Sequence, residues 1–219
     1  AIAFALTCTA ASAQNAYITN SASSSVSVIN TATNAVTATV AVGGQPSGVS
    51  VSPDGSKVYV TNYLDHNVSV IDTANNTVTA TVAVGRYPRG VAVSPDSSKV
   101  YVANSYSNTV SVIDTATNTV TTTIAVGGRP RGVSVSPDSS KVYVANSDDD
   151  TVSVINTATN AVTTTVAVGN APFAFGNFIG PTPAAVPVPT LSQWAMIGLG
   201  LLLAGLALIQ VQRVRSTPA

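Results

Sequence analysis

The stretch Asn108–Ser147, "NTVSVIDTATNTVTTTIAVGGRPRGVSVSPDSSKVYVANS", decides how this chain is read, because nearly the same words stand before and after it. Tyr17, Tyr59, Tyr101 and Tyr143 are 42 residues apart and head "YITN", "YVTN", "YVAN" and "YVAN". "SVSVINTATNAVTATVAVG", "NVSVIDTANNTVTATVAVG", "TVSVIDTATNTVTTTIAVG" and "TVSVINTATNAVTTTVAVG" follow in register. Repeats of this length mark a modular architecture before any local reading. Each unit holds four short runs of alternating character, separated by turn residues. In the second full copy these are 90–94, 99–103, 109–113 and 119–126. Ser94-Pro95-Asp96-Ser97 suits a tight turn, and Asp114-Thr115-Ala116-Thr117-Asn118 can close a hairpin through its own side chains. A four-stranded meander at this period predicts an all-β fold, a β-propeller of about four 42-residue blades. The competing parallel β-helix normally has shorter coils and lacks paired hairpin turns.

Composition agrees. Of 219 residues, 45% are hydrophobic and 8% charged, about a third of the usual charged share. Net charge is zero, which argues against a nucleic-acid partner. Every acid is Asp, the one Cys is Cys8 and the one His is His66. These counts exclude a disulfide framework and leave little for a Cys/His metal cluster. They also leave no nucleophile–base pairing and no Gly-rich phosphate loop, so no catalytic residue, no cofactor and no enzyme activity is expected.

The ends read as addresses. Residues 1–13 resemble a secretory signal peptide truncated at its start, with Ala11-Ser12-Ala13 as the cleavage pattern; a buried first strand is the alternative. Residues 14–180 are the repeats, 181–189 a Pro/Ala-rich spacer, and 188–219 a terminal signal. Residues 195–211 carry no charge and are just long enough for a transmembrane helix. Arg213 and Arg215 would stay on its cytoplasmic side, and Trp194 would sit at the opposite edge. A buried core helix is the other reading of this run. Val188-Pro189-Thr190-Leu191-Ser192-Gln193-Trp194, the apolar run and the arginines together resemble the IPTL-CTERM sorting signal of Gram-negative bacteria. That resemblance implies export, at least transient inner-membrane anchoring, an exosortase-type processing partner and a cell-surface destination.

The "YVTN" words and "VSPDGSKVYVTN" resemble the YVTN family of β-propeller repeat proteins, over Tyr17 to about Ile179. The resemblance implies a surface-layer or exported protein without assigned chemistry. The chain begins within a unit, with three strands over 17–42, and "NAPFAFGNFIG" matches the start of another. A final strand over 173–178 is therefore expected to complete the first blade and close the ring at four blades. Two chains joining into a homodimer with eight blades is the alternative.

Strand parity places the constant turns on one face and the rewritten spots on the other. On the variable face stand "SASSS" (21–25), "YLDHN" (63–67), "SYSNT" (105–109) and "SDDDT" (147–151), with "GQPS", "RYPR", "RPR" and "NAPF" in the blade connections. Loops on a rigid scaffold are where binding residues gather. Arg86, Arg89, Arg129 and Arg131 can grip carboxylates or sulfates of a surface polysaccharide, or an envelope protein. Tyr63, Tyr87 and Tyr106 can offer flat faces to sugar rings. Asp65 with Asp148, Asp149 and Asp150 can attract a hard cation. For each set the bland reading stands beside the functional one: solubilising loop charge for the arginines, a solvated turn for "DDD".

Overall fold

The computed structural model describes residues 14–180 and contains fifteen strands. They are β1 (Asn15–Asn20), β2 (Ser25–Asn30), β3 (Ala35–Ala41), β4 (Pro46–Val51), β5 (Lys57–Asn62), β6 (Asn67–Asp72), β7 (Thr77–Ala83) and β8 (Pro88–Val93). Then come β9 (Lys99–Asn104), β10 (Thr109–Asp114), β11 (Thr119–Ala125), β12 (Pro130–Val135), β13 (Lys141–Asn146), β14 (Thr151–Asn156) and β15 (Ala161–Ala167). All pairing is antiparallel between chain neighbours, giving three four-stranded sheets and one three-stranded sheet, β1–β3. These are the four blades of the expected propeller. The signal peptide, the spacer, the sorting signal and its helix at 195–211 lie outside the described residues.

Alternation builds the blades and also joins them. Successive residues of a strand face opposite sides of the sheet, and here both sides are buried. Tyr59, Val68, Val70 and Val82 of the second blade pack on Val91, Val100, Val102 and Ile113 of the third. Tyr101, Val110, Val112 and Ile124 repeat the contact toward Val133, Val142, Val144 and Ile155 of the fourth. Tyr17, Val26, Val28 and Val40 of the first face Val58, Val60 and Ile71 of the second. Each junction is thus the same apolar seam, which explains why Val, Ile and Tyr recur at fixed positions.

The constant turns fasten the opposite face. Asp54 accepts hydrogen bonds from Ser52, from the Ser56 backbone and from the Ser56 hydroxyl. Asp96 and Asp138 repeat this arrangement with Ser94, Ser98, Ser136 and Ser140. These bonds hold all three carboxyls below the usual carboxylate range, with Asp138 lowered to about 2. The third turn residue is left-handed in every copy: Gly55 at φ +72°, Ser97 at 58° and Ser139 at 60°. In the second hairpin turn Asn34, Asn76, Asn118 and Asn160 take the left-handed position, which Asn tolerates better than most residues. Lysines tie blade to blade, since Lys57 Nζ donates to the Thr115 carbonyl at 2.7 Å and Lys99 Nζ to that of Thr157.

The closing strand is where expectation and structure part. Residues 168–180 form no strand, and among the described residues β1 pairs with β2 alone. The segment does occupy the place an inner strand would take. The Ala174 carbonyl lies against Gly132, one residue beyond the place equivalent to Arg131 against Gly90 and Arg89 against Gly48. Ser134 also donates to Asn177 Oδ1 at 2.8 Å. Two local features prevent an extended ladder: Gly176 turns left-handed at φ +74°, and Asn177 Oδ1 takes the backbone N–H of Ile179. On the outer strands Val40 of β3, Val82 of β7 and Ile124 of β11 are buried, whereas Val166 of β15 is exposed. The described residues thus form four blades, without the closing strand expected over 173–178.

Candidate functional site on the variable rim

The two loops of this rim are stitched together before any ligand is considered. Asp65 Oδ2 accepts the backbone N–H of Gly44 at 2.8 Å, and Asp149 Oδ2 that of Gly128 at 2.6 Å. In the copy between them, Ser107 Oγ accepts from Arg86 at 2.8 Å. The next residue of the loop makes a second stitch: His66 Nδ1 to Tyr87 N, Asn108 Oδ1 to Arg129 N and Asp150 Oδ1 to Ala171 N. Each stitch spans 21 residues. The loop pairs vary together for a steric reason. A Cβ on Gly44 would stand 2.9 Å from Asp65 Oδ1, and one on Gly128 would stand 2.7 Å from Asp149 Oδ1. Where Arg86 replaces glycine, the shorter Ser107 replaces aspartate.

The carboxylates expected to attract a cation also take part in the rim's own contacts. Asp65, Asp149 and Asp150 each hold a backbone N–H, and Asp148 lies 3.8 Å from Arg129 in an exposed ion pair. Among the described residues no group of three His, Cys or Asp side chains is placed to hold a metal ion.

The arginines and tyrosines do come together. Tyr63 and Tyr87 lie with ring centres 4.7 Å apart, and Tyr106 stands edge-on to Tyr87 at 5.6 Å. Arg89 lies 4.7 Å over the Tyr63 ring, and Arg86 4.7 Å over Tyr106 and 5.8 Å from Tyr87. Such stacking holds a guanidinium flat while leaving its N–H edge free to bind. His66 meets Tyr87 edge-on at 4.8 Å and completes the platform. Arg131 lies 5.4 Å over Phe173. Burial, and then the positive charges of Arg129 and Arg89, push its guanidinium below its ordinary value. The Nε atoms of Arg89 and Arg131 are buried without a hydrogen-bond partner. Tyr63, Tyr87, Ser105, Tyr106, Asn108, Arg129 and Asp148 line a recess of about 570 Å³, and a smaller one of about 260 Å³ adjoins Tyr63 and Arg89.

Sequence parity located this rim and its arginines. It missed the stitching by Asp65, Ser107 and Asp149 and the role of Phe173, although the matched Gly–Asp and Arg–Ser pairs, 21 residues apart, carried the signal.

Comparison with known proteins adds the context. Residues 1–97 and 55–140 match the model of the YNCE-like beta-propeller, and residues 186–213 match the IPTL-CTERM motif. Among curated proteins none matches. Among solved structures, Kuenenia stuttgartiensis hydrazine synthase is similar at 31% identity and TM-score 0.68, over 71% of this chain and 46% of that one. A functionally unknown protein from Desulfotomaculum acetoxidans is similar at 21% identity and TM-score 0.66, over 73% of this chain and 54% of its own. Dihydro-heme d1 dehydrogenase NirN, solved with DHE, is similar at 22% identity and TM-score 0.60, over 71% and 35% respectively. The chain spans about half or less of the length of these structures. The motif marks an exported protein with a C-terminal sorting signal.

Proposed function

We propose the following function for this chain, which belongs to the YNCE-like β-propeller family: it is a non-catalytic cell-surface or matrix component that holds acidic surface polysaccharide on its variable rim. The observation that carries the reading is the interleaving of Arg86, Arg89 and Arg131 with Tyr63, Tyr87, Tyr106 and Phe173 on that one rim. Uronate or sulfate groups would take the guanidinium edges, and sugar rings would lie on the aromatic faces. The recess beside Tyr63 and Tyr87, lined also by Arg129, Asp148, Asn108 and Ser105, would offer a sugar both aromatic faces and polar partners. The scaffold holds the loops still, so little ordering cost opposes binding.

The reading gives the chain no reaction of its own. Hydrazine synthase and NirN are enzymes by their names, and that activity is theirs. Delivery would run through export, a passing stay in the inner membrane by the 195–211 segment, and processing by an exosortase-type enzyme that reads the 188–194 motif. A second reading is favoured by the stitches: rim residues such as Asp65 and Asp149 serve the fold, as they would in a purely structural surface-layer module. The two part on one experiment. Arg86, Arg89, Arg129 and Arg131 are replaced together with Ser, and retention on isolated envelope polysaccharide is compared with the parent. Loss of retention supports the binding rim, and unchanged retention leaves only the structural module.

A further inference from the structure

Arg89 and Arg131 stand at one position of two inner strands, β8 and β12, each directly after the strand's opening proline. Glycine brings these strands together there: a Cβ on Gly90 would stand 2.7 Å from the Arg131 carbonyl oxygen. Both partly buried side chains lie over rings of the variable rim, Arg89 over Tyr63 and Arg131 over Phe173. Two positive charges are thus held near each other, and neither Nε has a hydrogen-bond partner. At Arg131 the charges of Arg129 and Arg89 outweigh that of Asp148, so its guanidinium lies below its ordinary value. Like charges gathered in a partly buried place cost free energy unless an opposite charge joins them. The side chains of this sequence supply none. It has no Glu and nine Asp, all within residues 14–180. Asp54, Asp96 and Asp138 serve the constant turns, and Asp72 and Asp114 hold backbone N–H groups of the second hairpin turns. Asp65, Asp149 and Asp150 hold backbone N–H groups of the rim. Asp148 pairs with Arg129.

Room for the missing charge lies beside Tyr63, in the hollow of about 260 Å³ lined also by Arg89, Ser21, Gln45 and Ser47. Ser47 holds the place of Arg89 and Arg131 on β4, so a small hydroxyl stands where a third arginine would project. The hollow is smaller than the ~300–1,000 Å³ of sites that enclose a drug-sized ligand, which suits a substituent group and not a whole sugar. We propose that Arg89, with Arg131 as the second charge, holds a doubly charged phosphate group in this hollow. The inference rests on the binding reading of the rim and names one group that the rim takes: a phosphate monoester carried by the saccharide. A carboxylate would leave one of the two positive charges unmatched. A phosphate monoester carries about −1.5 to −2 at neutral pH and offers three acceptor oxygens. The Arg89 fork, the Ser21 and Ser47 hydroxyls and the Gln45 amide can meet those oxygens from different sides. Arg86, stacked on Tyr106 and Tyr87, is left for carboxylates of the same polymer.

The test titrates the full chain by calorimetry with inorganic phosphate, glucose 6-phosphate and acetate, at neutral pH and matched ionic strength. Both phosphates should bind saturably, and acetate at least about tenfold more weakly. Arg89→Ser/Arg131→Ser should lose at least about tenfold in phosphate affinity, while Arg86→Ser keeps it. The double variant should fold, because β4 already carries Ser47 at this place, and circular dichroism checks it. Arg89→Lys, which keeps the charge without the fork, should fall between parent and double variant. Acetate bound as tightly as phosphate, unchanged affinity in the folded double variant, or no phosphate binding overturns the proposal. Inorganic phosphate bound without glucose 6-phosphate overturns the assignment to a saccharide substituent. Alginate retention is read on the same proteins. Alginate held without phosphate binding removes this site alone, whereas loss of both removes the binding reading of the rim as well.

Discussion

Replacing Gly127 with alanine should break a contact that recurs at Gly43, Gly85 and Gly127. A Cβ at Gly127 would stand 2.6 Å from Asn146 Nδ2, 2.7 Å from Asn146 Cγ and 2.8 Å from Asp149 Oδ2. Asp149 is exposed and can give way at the cost of its one bond to the Gly128 N–H. Asn146 cannot, because it is fully buried and its Nδ2 donates to Ser153 Oγ at 2.8 Å and Thr151 Oγ1 at 3.1 Å. The φ of Gly127 is not left-handed, so contact and not backbone strain is what the substitution measures. Overpacking of this kind costs about 1–3 kcal/mol. Asn146→Ala by itself loses two hydrogen bonds, each contributing about 0.5–1.5 kcal/mol. The decisive quantity is their coupling. Once Asn146 is alanine the clash partner is gone, so Gly127→Ala should cost at least about 1 kcal/mol less than in the parent. Urea unfolding of the four proteins gives the cycle, and at this size 1 kcal/mol corresponds to about 2–4 °C in Tm. Equal cost in both backgrounds, or no cost in the parent, would refute the argument that glycine ends these strands to make room for a locked asparagine.

Further outcomes follow from the same geometry. The carboxyls of Asp54, Asp96 and Asp138 are held low by serine hydrogen bonds, so their contribution is complete above the unfolded carboxylate range. It fades as pH falls through it toward 2; Asp138→Asn should flatten that acid limb of a stability–pH curve, and an unchanged limb would remove the turn from the account. Burial raises the phenols of Tyr59 and Tyr101 to about 12, so their contribution is present below pH 10 and lost as pH rises to about 12. Tyr101→Phe should shrink the alkaline loss measured by circular dichroism. Ile113→Ala, in the seam between the second and third blades, should cost about 2–5 kcal/mol by urea unfolding, and a loss under 1 kcal/mol would mean that the seam is not a packed core.

The fold was legible because repetition averages out local ambiguity. A single Thr109–Ile113 run is a weak strand signal, but four copies in register fix strand, turn and parity together. Parity alone placed Arg86, Arg89, Arg129 and Arg131 with Tyr63, Tyr87 and Tyr106 on one rim. Two things were not readable in this way. The carboxylates of Asp65, Asp149 and Asp150 looked free for a cation because their backbone partners sit 21 residues away, across a loop pair whose approach only the folded chain defines. The 173–178 segment follows a blade's opening by pattern, with Gly169 and Pro172 where Gly127 and Pro130 fall. Its path is then decided by Gly176 and by the Asn177 side chain.

The binding rim is tested most directly by titrating the full chain with a defined polyuronate, alginate oligomers, at two salt concentrations. Neutral dextran serves as the control. The account predicts binding to alginate that weakens with added salt, no binding to dextran, and at least about a tenfold loss of affinity in the Arg86/Arg89/Arg129/Arg131→Ser protein, since a hydrogen bond to a charged group contributes about 1.5–3 kcal/mol and 1.4 kcal/mol is a factor of ten. Equal affinity of the parent and the fourfold variant, with the variant folded, would contradict it.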